Sequence, residues 1–269
     1  MATVSTILLP KMLQAAPNKK EIGLQLYTLR NPIQQDLPGT LRNIAKIGYT
    51  WLEAAGYKEG KFYDLLPREF KQMVEDLGMK MISSHASFAP DQQLAIDAHL
   101  ELGAEYLVYP WMSMPEKPAR DDYAKAAELF NKLGEACNKA GLKFGYHNHS
   151  FEFVKIEETT GFDLLLTLTE PDKVCFECDL YWMAYAGVDP VDYIIKYPGR
   201  FELWHVKDME NNPEKDFAPV GKGIIDFNRI FSKKDLAGME YFFVEQDECK
   251  IDPLDSVHIS YKNLLKIAY

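Results

Sequence analysis

Short runs of β-branched and aromatic residues alternate along the chain with longer stretches whose apolar positions recur every three or four residues. Ile22–Tyr27, Tyr49–Ala54, Lys80–Ser84, Tyr106–Tyr109, Lys143–His149, Val174–Asp179, Phe201–Lys207 and Tyr241–Gln246 read as strands. Leu37–Ile47, Pro67–Leu77, Asp91–Leu102, Tyr123–Ala140, Phe162–Thr169 and Pro190–Tyr197 carry helical spacing between them, and Pro253–Ala268 closes the chain. Glycines at Gly48, Gly78 and Gly141 stand where helices should stop, and Asp189-Pro190 places a capping side chain before a proline suited to a first turn. Eight strands, each followed by a helix or helical turn, predict the α/β class, as a single (β/α)8 TIM barrel over residues 21–269. A doubly wound open sheet also alternates strand and helix, so the placement of polar residues has to separate the two.

Residues 1–20, MATVSTILLPKMLQAAPNKK, fall outside this pattern. Thr3 to Leu9 is mildly apolar and the segment ends in small residues, as in the remnant of a signal peptide, but a cationic start is missing. A disordered leader fits equally, so the cytoplasm and, for an exported protein, the periplasm both stay open. Forty-seven per cent hydrophobic and 26% charged residues suit one globular domain. A formal net charge of -10 argues against a nucleic-acid partner, which wants a basic face. No apolar run reaches the roughly 18 residues of a membrane span. A homo-oligomer is compatible with the sequence and nothing in it specifies one. Cys175 and Cys178 form a C-x-x-C spacing, but within a strand residues three apart face opposite ways, so packed thiols are expected rather than a shared metal or redox pair.

Polar and titratable residues recur at the C-terminal ends of the later strands, the end where barrels carry function. Strand five ends in Tyr146-His-Asn-His-Ser-Phe-Glu-Phe153, strand six in Cys178-Asp179, strand seven in Trp204-His205-Val-Lys207-Asp208, and strand eight in Val244-Glu245-Gln246-Asp247. Alone, each such residue is more often a cap, an ion-pair partner or a core histidine. Together, Asp179, His205 and Glu245 supply the mixture of carboxylate and imidazole that a divalent ion with open positions requires. Strand parity agrees: Cys175, Glu177 and Asp179 share a face, as do Leu203 and His205, and Phe243 and Glu245. One divalent ion is therefore expected, its identity among Mn2+, Mg2+, Zn2+ and Co2+ left open.

The stretch from Gly23-Leu-Gln-Leu-Tyr-Thr28 to Val244-Glu-Gln246 resembles the xylose-isomerase-like barrels, a superfamily of sugar phosphate isomerases/epimerases, inosose dehydratases and AP endonucleases of family 2. Its most specific pieces are Tyr146-His-Asn-His-x-x-Glu-Phe153, Asp179-x-x-Trp182, His205-x-x-Asp208 and Gly221-x-Gly223-x-x-Asp226. The resemblance implies a metal held by one residue from each of strands five to eight, commonly Glu, Asp, His and Glu; Asp179, His205 and Glu245 match the last three. At the first ligand the sequence departs. His147 stands where glutamate is usual, and Glu152 follows five residues later with opposite parity. Either His147 replaces the carboxylate or the strand end curls to bring Glu152 in; the second is slightly favoured because Glu152 would serve as ligand and base. Trp182, where the DNA-repair relatives carry a zinc-binding histidine, argues against endonuclease chemistry.

These residues lead to an expected activity, a metal-dependent sugar isomerase or epimerase that abstracts a proton next to a carbonyl and stabilises the resulting enediolate. Glu245 or Glu152 would act as base. The alternative is a lyase or dehydratase on a keto-sugar, inosol or 3-keto-glycoside, and a second alternative is a carbohydrate-binding barrel without catalysis. Contacts to the small-molecule carbohydrate are expected from His85, Glu53, His149, Trp182, Lys207 and Asp208, with stacking from Tyr27, Trp51, Trp111 and Tyr185. No cluster of basic residues marks a phosphate pocket.

Overall fold

In the computed structural model, which describes residues 20–88 and 91–267, eight parallel strands close into a barrel. They are β1 (Gly23–Gln25), β2 (Trp51–Ala54), β3 (Lys80–His85), β4 (Tyr106–Tyr109), β5 (Lys143–His147), β6 (Val174–Asp179), β7 (Leu203–Val206) and β8 (Tyr241–Val244). Each pairs with its neighbours in sequence and β1 pairs with β8, which shuts the ring. The open doubly wound sheet is thereby excluded. All of the leader but Lys20 lies outside the described residues, and no described helix is long and apolar enough to cross a membrane.

The barrel interior is layered by strand parity. Its floor is apolar: Ile82, Tyr106, Val108, Cys175, Leu203 and Phe243 pack together, with Trp51 and Tyr241 against them. Gly23 makes room for this layer, because a Cβ there would lie 2.5 Å from the Phe243 ring. One step further along the same strands the inward positions become Glu53, Ser83, Glu177 and His205, all fully buried, and above them come Asp179 and Glu245. Both thiols of the C-x-x-C pair are free and buried, Cys178 on the outer side of β6 beside Met183.

Outside the ring, helices α1 (Arg30–Ile47), α2 (Pro67–Glu75), α3 (Gln92–Leu102), α4 (Arg120–Ala140) and α5 (Gly161–Leu168) follow β1 to β5. Then come α6 (Leu180–Tyr185), α7 (Pro190–Lys196), α8 (Phe227–Phe231), α9 (Lys234–Ala237) and α10 (Pro253–Leu264). Gly48 and Gly141 end α1 and α4 with positive φ, as their positions predicted. The predicted start of the first helix at Leu37 marks a real feature. α1 kinks at Asp36, whose carboxylate accepts from the Gly39 amide at 2.9 Å and restarts the helix there.

The predicted strand Lys143–His149 is two residues too long, and the reason lies in its corner. After His147 the chain turns into a short 3-10 helix at Phe151–Phe153 that buries Glu152 completely. Tyr146 Oη donates to Glu152 Oε1 at 2.6 Å, and the His149 amide donates to both carboxylate oxygens at 3.1 and 3.0 Å. Burial outweighs these donors and pushes Glu152 up to about 7 from an ordinary 4.5. A carboxyl whose folded value lies above its unfolded value stabilises the fold at low pH and loses that contribution as pH rises through the folded value. Between pH 5 and pH 8 the wild type should therefore lose about 1–3 kcal/mol relative to Glu152→Gln. Urea unfolding of both proteins at the two pH values measures this, and a gap that does not change with pH would show that Glu152 titrates normally.

Candidate metal centre at the barrel mouth

His147, Asp179, His205 and Glu245 bring one ligand atom each to within 4.8 Å of one another, and all four are buried. Their strands deliver them together: Asp179 is level with His205, and His205 with Phe243, two residues before Glu245. Asp179 divides its carboxylate. Oδ1 accepts from the Trp182 amide at 2.8 Å and caps α6, while Oδ2 faces inward, 3.1 Å from His147 Nε2 and 3.7 Å from His205 Nδ1. Glu245 Oε2 lies 2.7 Å from His205 Nδ1. Lys207, on the rim, reaches Asp179, Glu245 and Asp247 at 2.9, 2.6 and 2.9 Å.

The electrostatics of this group suit a cation. Burial alone would raise Asp179 and Glu245, yet Lys207 and the neighbouring histidines hold both well below the carboxylate range. Burial lowers His147 to about 4, so its imidazole is neutral at physiological pH. Burial also works against a charged His205, but Glu177, Glu245 and Glu53 overcome it and raise the ring well above 6.5; this spot favours positive charge. The inward atoms crowd one another: Glu245 Oε2 is shared by His205 Nδ1 and Lys207, and Asp179 Oδ2 by His147 Nε2 and Lys207. Two anionic carboxylates and two imidazoles converging in a buried spot fit a divalent ion.

A second group lies one layer deeper: Glu53, His85, Glu177 and His205 also place ligand atoms within 4.8 Å of one another. His205 belongs to both groups. Its Nε2 is 2.6 Å from Glu53 Oε2 and 3.2 Å from Glu177 Oε2, and Glu177 also meets His85 Nε2 at 2.6 Å. Glu53 is fixed further by Gln25 Nε2 at 2.8 Å and Ser83 Oγ at 2.6 Å. Glu177 is the residue of this group to which the sequence assigns no role, although its inward parity with Asp179 is legible there.

Above the metal group opens a cavity of about 430 Å³ whose walls include Tyr27, His85, Trp111, His149, Lys207 and Glu245. Several sequence expectations are corrected here. Glu152, slightly favoured as ligand and base, belongs to neither group and is committed to Tyr146 and His149; the position on strand five is filled by His147. Glu53 is fully buried beneath the histidines, where no substrate hydroxyl reaches it. Asp208 points away into the following loop, where its carboxylate accepts from the amides of Gly221, Gly223, Ile225 and Met209. That nest accounts for the Gly221-x-Gly223 spacing, since a Cβ on Gly223 would sit 2.3 Å from Asp208 Oδ1. Trp182 packs behind His149, with ring centroids 5.7 Å apart, and does not line the cavity. Trp51 lies at the opposite end of the barrel, edge-on to Tyr241.

Residues 41–250 match the family described as the xylose isomerase-like TIM barrel. A crystal structure of a sugar phosphate isomerase/epimerase from Parabacteroides distasonis is 34% identical, with a TM-score of 0.82 over 96% of this chain and 98% of that one. The inosose dehydratase of Geobacillus kaustophilus is 25% identical over 273 residues, 94% of this chain and 84% of that protein. With the inosose dehydratase of Lacticaseibacillus casei the identity is 27% over 154 residues, and the match spans only about half of that relative (51%). A structure of the IOLI protein with a binding zinc atom shares the fold at 14% identity, with a TM-score of 0.71 over 92% of this chain and 98% of that one. By the family match and the Parabacteroides relative together, this chain belongs to the xylose isomerase-like TIM barrels.

Proposed function

We propose that this protein is a metal-dependent lyase of the dehydratase kind, acting on a neutral ring ketone or keto-sugar. The observation that carries the reading is the asymmetry of the cavity: its lining carboxylates, Glu245 and Asp247, both follow strand β8, while the wall from β3 offers the imidazole of His85. Returning a proton to the opposite face of the same carbon is most direct with a second carboxylate across the substrate, and Glu152 is turned away from that place. A base on one wall and an imidazole acid on the other suit removal of a proton from one carbon and assistance to a leaving oxygen on the next.

His147, Asp179, His205 and Glu245 would hold the ion, and the two imidazoles favour a borderline ion such as Zn2+ or Co2+ over the harder Mn2+ and Mg2+. Such an ion, when bound, supplies Lewis-acid stabilisation of negative charge developing on the substrate carbonyl oxygen. Glu245, held anionic, takes the C–H proton. As the C–O bond on the adjacent carbon breaks and the C=C bond forms, the departing oxygen takes a proton from His85 and leaves as water or an alcohol. Burial disfavours the charged form of His85, but Glu53 and Glu177 outweigh it and raise the ring above 6.5, so it carries that proton near neutrality. His149, lowered to about 2 by burial and by His147, does not. Among the described residues Lys207 is the one lysine or arginine lining the cavity, and it is engaged by three carboxylates, which favours a neutral substrate over a phosphorylated one.

Epimerisation is the second reading, favoured by the name of the 34% identical Parabacteroides relative and requiring His85 to return the proton. Incubation of inososes, keto-sugars and 3-keto-glycosides with the metal-loaded enzyme in deuterium oxide separates the two. An unsaturated product with loss of water or alcohol is expected; deuterium at carbon with nothing lost would establish the epimerase, and no turnover of any kind would leave a binding barrel. Dialysis against a chelator should abolish activity and a divalent ion should restore it, with Asp179→Asn losing both the ion and turnover. His85→Gln should lower kcat by roughly 10²–10³ while keeping the ion, measured by steady-state kinetics beside elemental analysis. Trp111→Ala removes an exposed stacking face and should raise KM about three- to tenfold with kcat nearly unchanged.

A further inference from the structure

We propose that Glu53 and Glu177 are positioning residues for the metal centre: from below, they accept the Nε2–H of His205 and so fix the rotamer and the tautomer in which, with an ion bound, Nδ1 is the free nitrogen beside Asp179 and Glu245. The inference rests on the reading of His147, Asp179, His205 and Glu245 as the metal ligands. A histidine ligates through one nitrogen only if the proton sits on the other, and a group that holds that proton sets which nitrogen is free. In this barrel Nε2 is 2.6 Å from Glu53 and 3.2 Å from Glu177, whereas Nδ1 faces the other pair of acids, 2.7 Å from Glu245 and 3.7 Å from Asp179. A flipped ring would put carbon atoms where these contacts are made.

The two acids are themselves held rigidly. Glu53 Oε2 accepts from Gln25 Nε2 as well as from His205, and Oε1 accepts from Ser83 Oγ, so strands β1, β2 and β3 combine to grip one imidazole on β7. Glu177 is steadied by His85 on its other side. Both carboxylates are fully buried and out of the substrate's reach. Burying two acids side by side is costly, and a purely structural core would be served better by apolar residues of similar volume. The hydrogen bonds to His205 give that burial a purpose.

The test measures ion affinity independently of turnover. Zn2+ or Mn2+ binding to the chelator-treated protein is followed by competition with a chromophoric chelator for the wild type, Glu53→Gln, Glu177→Gln, Ser83→Ala and His85→Gln, with thermal unfolding of each apo form. Affinity should fall roughly ten- to a hundredfold in Glu53→Gln and Glu177→Gln, less in Ser83→Ala, and hardly at all in His85→Gln. Long-range proton–nitrogen correlation on 15N-histidine-labelled, zinc-loaded protein should show His205 protonated at Nε2 in the wild type and altered in the two glutamine variants. Ser83→Ala keeps the question answerable if a glutamine variant does not fold. Unchanged affinity and an unchanged His205 signal in these variants would overturn the proposal. So would two ions per wild-type chain with one lost in Glu177→Gln, which would make the deep group a site in its own right. Were Asp179→Asn itself to bind the ion normally, the underlying ligand reading would fail first, and that failure is visible separately.

Discussion

Negative charge is concentrated inside this barrel around a single imidazole. Glu53, Glu177, Asp179 and Glu245 are all buried within reach of His205, and taking several carboxylates out of water carries a penalty of several kcal/mol each unless it is offset. The offsets are specific. Lys207 spans three acids at the rim, His85 meets Glu177, and Gln25 and Ser83 saturate Glu53. What remains is gathered at one point, where His147, Asp179, His205 and Glu245 converge. The fold tolerates the cost because a closed ring of strands, packed over an apolar floor from Ile82 to Phe243, leaves these side chains little room to relax apart.

Much of this was written in strand parity. In Val174–Asp179 every second residue faces the interior, so Cys175, Glu177 and Asp179 climb from floor to mouth in one line, and the same counting places His205 and Glu245. Parity stops helping where the backbone leaves the strand. The choice between His147 and Glu152 turned on where strand five ends, and that is decided by a hydrogen bond from Tyr146 to Glu152 that no local pattern displays. Distance along the barrel axis was equally hidden. Trp51 begins its strand and Glu53 sits two residues further on, so neither reaches the mouth where aromatic and acidic residues were expected. Asp208 carried a motif spacing whose meaning was structural, since its partners are backbone amides of a glycine-containing loop.

The outer shell and the centre are also linked through capping. Asp179 closes the last turn of β6 onto α6 with one oxygen and offers the other to the interior, so the geometry of a helix start and that of a ligand are set by one carboxylate. Asn148 adds to this by accepting from the Asp179 amide at 3.0 Å, which ties the end of β5 to the end of β6. Glu152 anchors the same corner from the other side through the His149 amide. Residues that never touch an ion or a sugar thus determine how far apart His147 and Asp179 stand.

The substitution of His147 for a carboxylate has an electrostatic logic of its own. With histidine there, the proposed ligand set carries two negative charges, from Asp179 and Glu245, which would match one divalent ion. A carboxylate at position 147 would add an anion within the reach of Asp179, where His147 Nε2 now stands 3.1 Å away, and would compete with the charge that must develop on a substrate oxygen. A balanced centre would keep the field of a bound ion available to the neutral ketone proposed as substrate. It also leaves the imidazole of His85 facing the carboxylate of Glu245 across the cavity, the pairing on which the proposed elimination rests.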